Sequence, residues 1–284
     1  MPYFLPQFIR HYLLAIQFFT RIPVTGRLAD WVGYSPAMLR ASAAHFPGVG
    51  WVVGGLVSAF SALLLLGLPD GGYSPLVVAA LGTAFGVLIT GAFHEDGLAD
   101  VADGLGGSLD RDRALIIMKD SRVGAFGAIA VVLALLTKVS LLALLGSASS
   151  LLLCLALFWA HVVSRTWPLL LIRFMPHVGD AAGSKSKPLA DQISGASLWV
   201  AFVWCLMGLV LAIVALSAAN LITIDEDLAP LVTSLIWALG ASALAFGVLW
   251  RWFWKRLQGF TGDCLGTTQQ VCEMAFYLGL ALSL

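Results

Sequence analysis

Long uninterrupted apolar runs are the feature of this sequence that most constrains its fold. A helix needs about 20 predominantly apolar residues to cross the hydrocarbon core of a bilayer, and several stretches meet or approach that length. The runs cover residues 46–68, 75–93, 125–145, 149–172, 196–219, 229–250 and 267–284. The last is the weakest, because Gln269, Gln270 and Glu273 occupy its first turns. All of the runs are continuous rather than alternating, which favours transmembrane helices over a β-barrel.

The composition supports the same fold class. Charged residues make up 11% of the 284 residues and hydrophobic residues 60%, whereas a soluble domain is about 25% charged. We therefore predict an all-α, polytopic integral membrane protein of about seven transmembrane helices. Residues 1–284 are expected to form one domain, in which residues 1–45 are a cytoplasmic or interfacial N-terminal arm. The net charge of zero leaves no basic face for nucleic acid, so the lipid bilayer is the expected partner instead.

The basic residues of the connections predict the orientation of the chain. From the N-terminal arm to the last connection, the numbers of Lys and Arg alternate four, none, four, none, three, none, three. Connections rich in Lys and Arg stay in the cytoplasm. The N-terminus is therefore predicted inside, and the polar connections, including residues 94–124, are predicted to face the cytoplasm.

Only a few ionisable residues fall within the predicted spans. Lys138 lies in the outer half of its helix, and we expect it to snorkel towards the interface rather than to bind a ligand. Arg165 lies eight residues before Arg173, about 12 Å deeper by the helix rise. This depth prevents easy snorkelling, so Arg165 is expected to hold either a protein partner or an anionic group of a substrate.

The segment "FHEDGLADVADGLGG", residues 93–107, collects carboxylates in a chain with few charges. If it is helical, Asp96, Asp100 and Asp103 share one face. Like charges on one face repel each other unless a cation lies among them, and hard oxygen ligands suit Mg²⁺, which completes its shell with waters and phosphates. Glu95 points about 100° away from Asp96, so it would hold a second metal or support the first from outside. The alternative interpretation is a solvated acidic loop.

A basic segment, "KDSR", precedes the third apolar run. It consists of Lys119, Asp120, Ser121 and Arg122. Beside a metal-binding cluster, such bases suggest neutralisation of a diphosphate, since an arginine grips two oxygens at once. The alternative is that they only anchor the helix end on the cytoplasmic side.

The third polar segment, "GFTGDCLGTTQQVCE", covers residues 259–273 at the mouth of the last run. Asp263, next to Thr261 and Gly262, could join the metal shell or act as a base. Thr261 and Asp263 could equally cap the following helix. The two interpretations are compatible.

Together these motifs resemble the cobalamin synthase family, adenosylcobinamide-GDP ribazoletransferase. The resemblance rests on "FHEDGLADVADGLGG", "IMKDSRVGAFG" and "TGDCLG", with "FFTRIPV" and "FPGVG" nearer the N-terminus. It runs in collinear order from about residue 10 to the C-terminus. Phe260 stands where the family usually has the second glycine of a pair, and Gln270 stands where many relatives carry Glu. The second departure puts an essential carboxylate at position 270 in doubt.

The resemblance implies the last assembly step of vitamin B12 biosynthesis. Adenosylcobinamide-GDP and α-ribazole, or its 5′-phosphate, would give adenosylcobalamin, or its phosphate, and GMP. The family requires Mg²⁺. The expected location is the bacterial cytoplasmic (inner) membrane with the active site facing the cytoplasm. A homo-oligomer and an association with other enzymes of the cobalamin pathway both stay open.

The expected mechanism is an in-line displacement, which depends on positioning and charge neutralisation. Mg²⁺ held by Asp96, Asp100 and Asp103, with Glu95 beside them, would stabilise the leaving GMP. Asp103 or Asp263 is the expected general base, and His94 is the second choice. The residues expected to bind substrate are Lys119, Asp120, Ser121, Arg122, Arg165, Arg21, Thr261 and Gly262.

Two rival functions remain from the residues alone. A CDP-alcohol phosphotransferase also uses a DxxDG element, here Asp100 to Gly104, but the pair Ala-Arg that should follow is absent. An ion-coupled transporter would move substrate across proteoliposomes and release no GMP.

Overall fold

The computed structural model describes residues 4–69, 71–179, 193–219 and 224–284, and in these ranges the chain is helical without a β-strand. The prediction of an all-α protein is therefore confirmed. The helices are α1 Phe4–Phe19, α2 Gly26–Val32, α3 Pro36–Ser42, α4 Phe46–Gly67, α5 Ser74–Thr90, α6 Phe93–Gly107, α7 Arg111–Ile117, α8 Ala125–Ala148, α9 Ser150–Ser164, α10 Trp167–Phe174, α11 Gly195–Ala218, α12 Ile224–Leu257 and α13 Gly262–Leu282.

Within the described residues, five segments are long and apolar enough to cross a membrane. They are Pro36–Gly67, Ala125–Ala148, Ser150–Phe174, Gly195–Ala218 and Ala229–Leu257, and α5 with α6 counts as a sixth if the bent pair is one span. The protein is thus a multi-pass membrane protein. The count of seven is not confirmed, because α13, which covers the seventh predicted run, is not among these segments.

The chain bends by 90° between α5 and α6. Pro75 sits in the first turn of α5, where its missing N–H costs nothing. At the other end of the helix, Gly91 and Ala92 both have positive φ, 66° and 58°, and this left-handed backbone ends α5. Arg21 packs on the bare face of Gly91. We therefore treat α5 as the crossing helix and α6 as a helix that lies across its end, outside the spans.

The last helix, α13, is the centre of the bundle. It packs against α6, α8, α9, α10 and α12, and its backbone touches that of α12 at Gly279, where any side chain would meet the carbonyl of Trp237. Its first turns are polar and yet buried, with Thr267, Thr268 and Gln269 all below 3% exposed. A helix enclosed by other helices can hold polar side chains if they are paired.

The outer layer of α6 and α7 is held to the end of α12 by two arginines. Arg256 Nη1 donates to the carbonyl of Leu105 at 3.2 Å, and Arg111 Nε donates to the carbonyl of Leu257 at 2.7 Å. These carbonyls lie near helix ends, where the helix itself leaves them without partners. The two arginines therefore fix the carboxylate-bearing helix α6 against the bundle.

Candidate functional site

Helices α6 and α13 cross with their backbones in contact. A Cβ added to Gly97 would lie 2.9 Å from the carbonyl oxygen of Asp263, and one added to Gly266 would lie 3.2 Å from that of His94. Thr267 Oγ1 also donates to the carbonyl of Gly97 at 3.0 Å. The lack of side chains at the crossing is what brings Asp263 alongside α6.

Three carboxylates meet beside this crossing, and we call Asp96, Asp100 and Asp263 the acidic cluster. Asp96 is exposed, and the other two are partly buried. Burial and then the neighbouring Asp263 and Asp96, together with Asp103, raise the pKa of Asp100 to about 7. Among the described residues, no Lys or Arg forms an ion pair with a member of the cluster. The cluster is therefore an uncompensated negative site at the surface of the bundle.

The donor set fits a magnesium ion that is shared with substrate. In the described ranges, no group of three or more His, Cys, Asp or Glu side chains is close enough to hold a metal by itself. Mg²⁺ does not require such a group, because it usually keeps several waters and takes one or two carboxylates plus substrate phosphates. Asp96 and Asp100 can supply those carboxylates. The structure does not, however, gather all four predicted ligands.

Asp103 lies at the N-terminus of α8 rather than in the open cluster. Its Oδ2 accepts from Gly124 N at 2.7 Å and its Oδ1 from Gly127 N at 2.8 Å. A carboxylate here caps the helix and complements its dipole. Both oxygens are thus already engaged, and the contact holds the basic segment of residues 119–122 next to α6. The metal and base roles of Asp103 stay predictions.

Glu95 and His94 face the interior of the bundle. Glu95 Oε1 accepts from Gln270 Nε2 at 2.9 Å, whereas its Oε2 is buried without a hydrogen-bond partner. His94 is buried beside Arg165 in a cavity walled by aromatic rings, including Phe93. Glu95 is therefore not a ligand of the same metal as Asp96 and Asp100 in this arrangement. A second metal at Glu95 and a base at His94 both stay predictions.

The interior contains a buried ion network that the sequence analysis did not foresee. Lys138 Nζ lies 2.6 Å from Glu273 Oε1, and their side chains are 5% and 1% exposed. Gln269 Nε2 and Tyr277 OH both donate to the same carboxylate, at 2.6 Å and 2.9 Å. The prediction that Lys138 snorkels was wrong, because an anion inside the bundle gives its ammonium a closer partner than the interface does.

Arg165 has a protein partner, as one of the two alternatives predicted. Its Nη1 lies 3.0 Å from His161 Nδ1 and donates to the carbonyl of His161 at 2.9 Å. Arg165 Nε is buried without a hydrogen-bond partner. Binding of an anionic substrate group by this arginine stays a prediction.

The basic segment is an exposed turn with an internal ion pair. Arg122 Nε and Nη2 lie 3.0 Å and 2.6 Å from Asp120 Oδ1 and Oδ2, and these hydrogen bonds lower the pKa of Asp120 to about 2. Arg122 is 87% exposed. Ser121 is exposed next to it, and Lys119 lies on the other side of Asp120. Arg122 is thus open to an incoming phosphate, which would have to compete with Asp120.

Thr261 caps α13, as one interpretation predicted. Thr261 Oγ1 accepts from Cys264 N at 3.4 Å and donates to Asp263 Oδ2 at 3.2 Å. Gly262 is the first residue of the helix. The cap engages Oδ2 of Asp263 and leaves its Oδ1 to the cluster, so the cap and the site are compatible.

The two departures from the family pattern have structural reasons. Phe260 is fully buried, and its backbone pairs with Pro176 O and Val178 N at 3.0 Å and 2.9 Å. Its ring therefore fills a space in the core beside the site. Gln270 supplies the amide that pairs with Glu95, a contact that a carboxylate at this position could make only if one of the two were protonated.

One signal in the sequence could have revealed the network. Gln269, Glu273 and Tyr277 are spaced i, i+4, i+8 on one face of an apolar run. Polar residues inside a span face protein rather than lipid, and the basic residues Lys138, His161 and Arg165 were available as partners. The same residues weaken the apolar run as a span, and they mark the interior face of α13.

The fold and the site define a polytopic helical membrane protein with an acidic helix laid across one end of its bundle. The family described as CobS, cobalamin-5-phosphate synthase, matches residues 11–281, and the chain belongs to this family. It is 71% identical over 278 residues to the adenosylcobinamide-GDP ribazoletransferase of Albidiferax ferrireducens, covering 98% of this chain and 99% of that protein.

More distant relatives carry the same name. The protein of Polaromonas naphthalenivorans is 64% identical, with 98% of this chain and 99% of the relative covered. That of Vibrio cholerae is 38% identical over 269 residues, covering 94% of this chain and 91% of the relative. No solved structure matches the chain. The resemblance seen in the sequence is therefore confirmed.

Proposed function

We propose that this protein joins adenosylcobinamide-GDP to α-ribazole, or to its 5′-phosphate, and releases GMP. The observation that carries the proposal is the identity of 71% over almost the whole chain to a protein named for this reaction. The geometry supports it, because α6 has an acidic cluster without a basic partner among the described residues, and Asp103 of the same helix binds the backbone of Gly124 just after the exposed basic segment. This pairing suits a diphosphate with its metal.

The proposed metal is Mg²⁺, held by Asp96 and Asp100. When bound, it would neutralise charge on the diphosphate and on the leaving GMP. Basic residues of the protein would neutralise the remaining negative charge of the diphosphate. Arg122 and Lys119 would grip phosphate oxygens, with Arg122 released from Asp120 for this purpose.

In the displacement, the 3′-hydroxyl oxygen of the ribazole forms a bond to the phosphorus that carries cobinamide. The bond from that phosphorus to the GMP oxygen breaks, and the hydroxyl proton passes to a carboxylate. Asp263 is our choice of base. Burial raises its pKa, and a raised pKa brings a carboxylate closer to the range in which it accepts protons well. Thr261, which donates to Oδ2, holds its orientation.

We also propose that the site faces the cytoplasm from the bacterial inner membrane. The alternation of Lys and Arg between connections supports this orientation. It predicts that a cysteine replacing Asp110, which is exposed next to α7, is not labelled by an impermeant maleimide in intact cells. Labelling before permeabilisation would reverse the orientation.

The function is tested by incubating the protein, purified in detergent, with adenosylcobinamide-GDP, α-ribazole and Mg²⁺. GMP release that stops with EDTA and returns with added Mg²⁺ is the expected result. Release of GMP that persists in EDTA would contradict the proposed requirement for a metal, but it would still support the transferase function. Transport into proteoliposomes without GMP release would favour the rival function of a transporter.

A parallel reaction with α-ribazole 5′-phosphate compares the two acceptors. The ratio of their kcat/KM values decides which one the protein prefers. A ratio of one would mean that no residue of the site distinguishes the acceptor with the 5′-phosphate from the acceptor without it.

A further inference from the structure

The contact between Glu95 and Gln270 has no role in the displacement itself. Glu95 directly precedes Asp96 in α6, yet its side chain is buried in the bundle. It accepts one hydrogen bond, from Gln270, and its second oxygen has no partner. Burying a carboxylate with so few donors is costly. Its retention therefore needs a reason other than stability.

The crossing of α6 and α13 provides that reason. At Gly97 and Gly266 the helices touch through bare backbone, and a surface without side chains does little to resist rotation of one helix on the other. The contacts on either side of the crossing must set the rotation. On one side the acidic cluster faces solvent, with like charges that push Asp96 and Asp100 away from Asp263.

On the other side the Glu95 contact is firmly anchored. Gln270 Nε2 also lies 3.1 Å from Gln269 Oε1, and Gln269 Nε2 donates to Glu273 Oε2 at 2.6 Å. Glu273 in turn is paired with Lys138. A chain of buried bonds thus connects Glu95 through α13 to α8, and it opposes the repulsion within the cluster.

We propose that Glu95 is a positioning residue whose bond to Gln270 fixes the rotation of α6 and holds Asp96 and Asp100 towards Asp263. The inference rests on the proposed function, in which the acidic cluster binds the metal and the diphosphate. Glu95 touches neither. Partners that orient metal-binding groups from outside typically contribute about 10- to 100-fold to activity or metal affinity.

A swap of the two side chains tests the contact. The variants are Glu95→Gln, Gln270→Glu, and the double variant that carries both changes. Gln270→Glu removes the donor and places two carboxylates face to face, whereas Glu95→Gln keeps an oxygen that can still accept from Gln270 Nε2 and is the conservative variant. The double variant restores one amide and one carboxylate. Thr268→Val is the matched control, because it removes a buried hydrogen bond within α13, from Thr268 Oγ1 to Cys264 O, and none to α6.

We expect Gln270→Glu to lower kcat for GMP release by about 10-fold or more, and to raise the Mg²⁺ concentration that gives half-maximal rate. Glu95→Gln, which keeps the acceptor, should lower kcat less. The double variant should recover most of both losses, although it lacks the bond to Gln269. Thr268→Val should lower the melting temperature with kcat near wild type. A double variant no faster than Gln270→Glu would overturn the proposal, as would a Gln270→Glu variant with wild-type kcat.

A second readout does not depend on catalysis. Amide hydrogen exchange of residues 94–103 should be faster in Gln270→Glu than in wild type and slower again in the double variant. If the wild type releases no GMP, the proposed function fails, and the exchange pattern alone decides whether the contact holds α6. Equal exchange in the wild type, Gln270→Glu and the double variant would overturn the positioning role.

Discussion

The acidic cluster and the buried ion network both lie on a short stretch of α6 and α13, but they differ in how their negative charges are balanced. The network pairs Glu273 with Lys138, Gln269 and Tyr277, so its charge is compensated although it is withdrawn from solvent. The cluster faces solvent and has only carboxylates. Screening by water makes such crowding tolerable, and an incoming cation would relieve it. The compensated region joins α8 to α13, and the acidic cluster is the region that we propose binds the metal.

The comparison predicts that damage to the two regions has different consequences. Changes in the network should lower stability. Changes in the cluster should lower activity and leave stability unchanged or higher.

The largest expected effect is that of Lys138→Met, which leaves the buried Glu273 without its cation. Breaking a buried pair by removing one partner costs about 3–5 kcal/mol, so the free energy of unfolding in detergent should fall by about that amount. The double variant Lys138→Met with Glu273→Gln should recover much of the loss, since it removes both charges. If the double variant is as unstable as the single one, the pair is not what stabilises this region.

Asp96→Asn and Asp100→Asn should produce the next largest effect, on activity. Each change keeps the shape but removes a ligand charge, and GMP release should fall by about 10²-fold. The metal-free melting temperature should hold or rise, because repulsion is relieved. Asp112→Asn is the control, as this carboxylate is 82% exposed on α7 and pairs with Arg111. Full activity in both cluster variants would end the metal hypothesis.

A smaller effect concerns the pH dependence of stability without metal. Asp100 has a pKa of about 7 in the folded protein against 3.8 as the ordinary value, so between these values the folded state binds more protons than the unfolded state. Stability must therefore fall as pH rises through this window. In EDTA, the melting temperature should drop from pH 5 to pH 7.5, and Asp100→Asn should flatten that slope. A slope that persists in this variant would place its cause elsewhere.

The smallest effect is expected for Arg122→Ala. The exposed pair with Asp120 contributes little to stability, so the melting temperature should stay the same. Loss of a charge-assisted hydrogen bond to phosphate should raise the KM for adenosylcobinamide-GDP by about 10-fold, with a smaller change for α-ribazole. Equal changes for both substrates would mean that Arg122 only anchors the helix end.

Much of the fold was readable from the sequence because it depends on local pattern. Apolar length predicted the runs that became α4, α8, α11 and the other crossing helices, since each must satisfy its own backbone in lipid. For the segment "FHEDGLADVADGLGG" a helix was only one of two alternatives, and the segment forms α6 in the structure. The motifs identified the family because that resemblance depends only on residue types and their order in the sequence.

The site was only partly readable. Asp96 and Asp100 lie near Asp263, whereas the side chains of Asp103 and Glu95 have hydrogen-bond partners that the spacing did not predict. A helical wheel places side chains on a face and cannot say which neighbour that face meets. In the structure, Asp103 accepts a hydrogen bond from the N-terminus of α8, and Glu95 accepts one from Gln270.

What the sequence alone determined is the class of protein, its helical segments and the chemistry of its polar motifs, because these follow from composition and local spacing. The tertiary structure decided which charges are compensated. Glu273 weakens the prediction of the last span from sequence, but α13 lies at the centre of the bundle. Lys138 was predicted to reach the interface, but the Glu273 carboxylate lies 2.6 Å from its ammonium group. Pairing depends on distances between residues far apart in the chain, and only the packing of helices sets those distances.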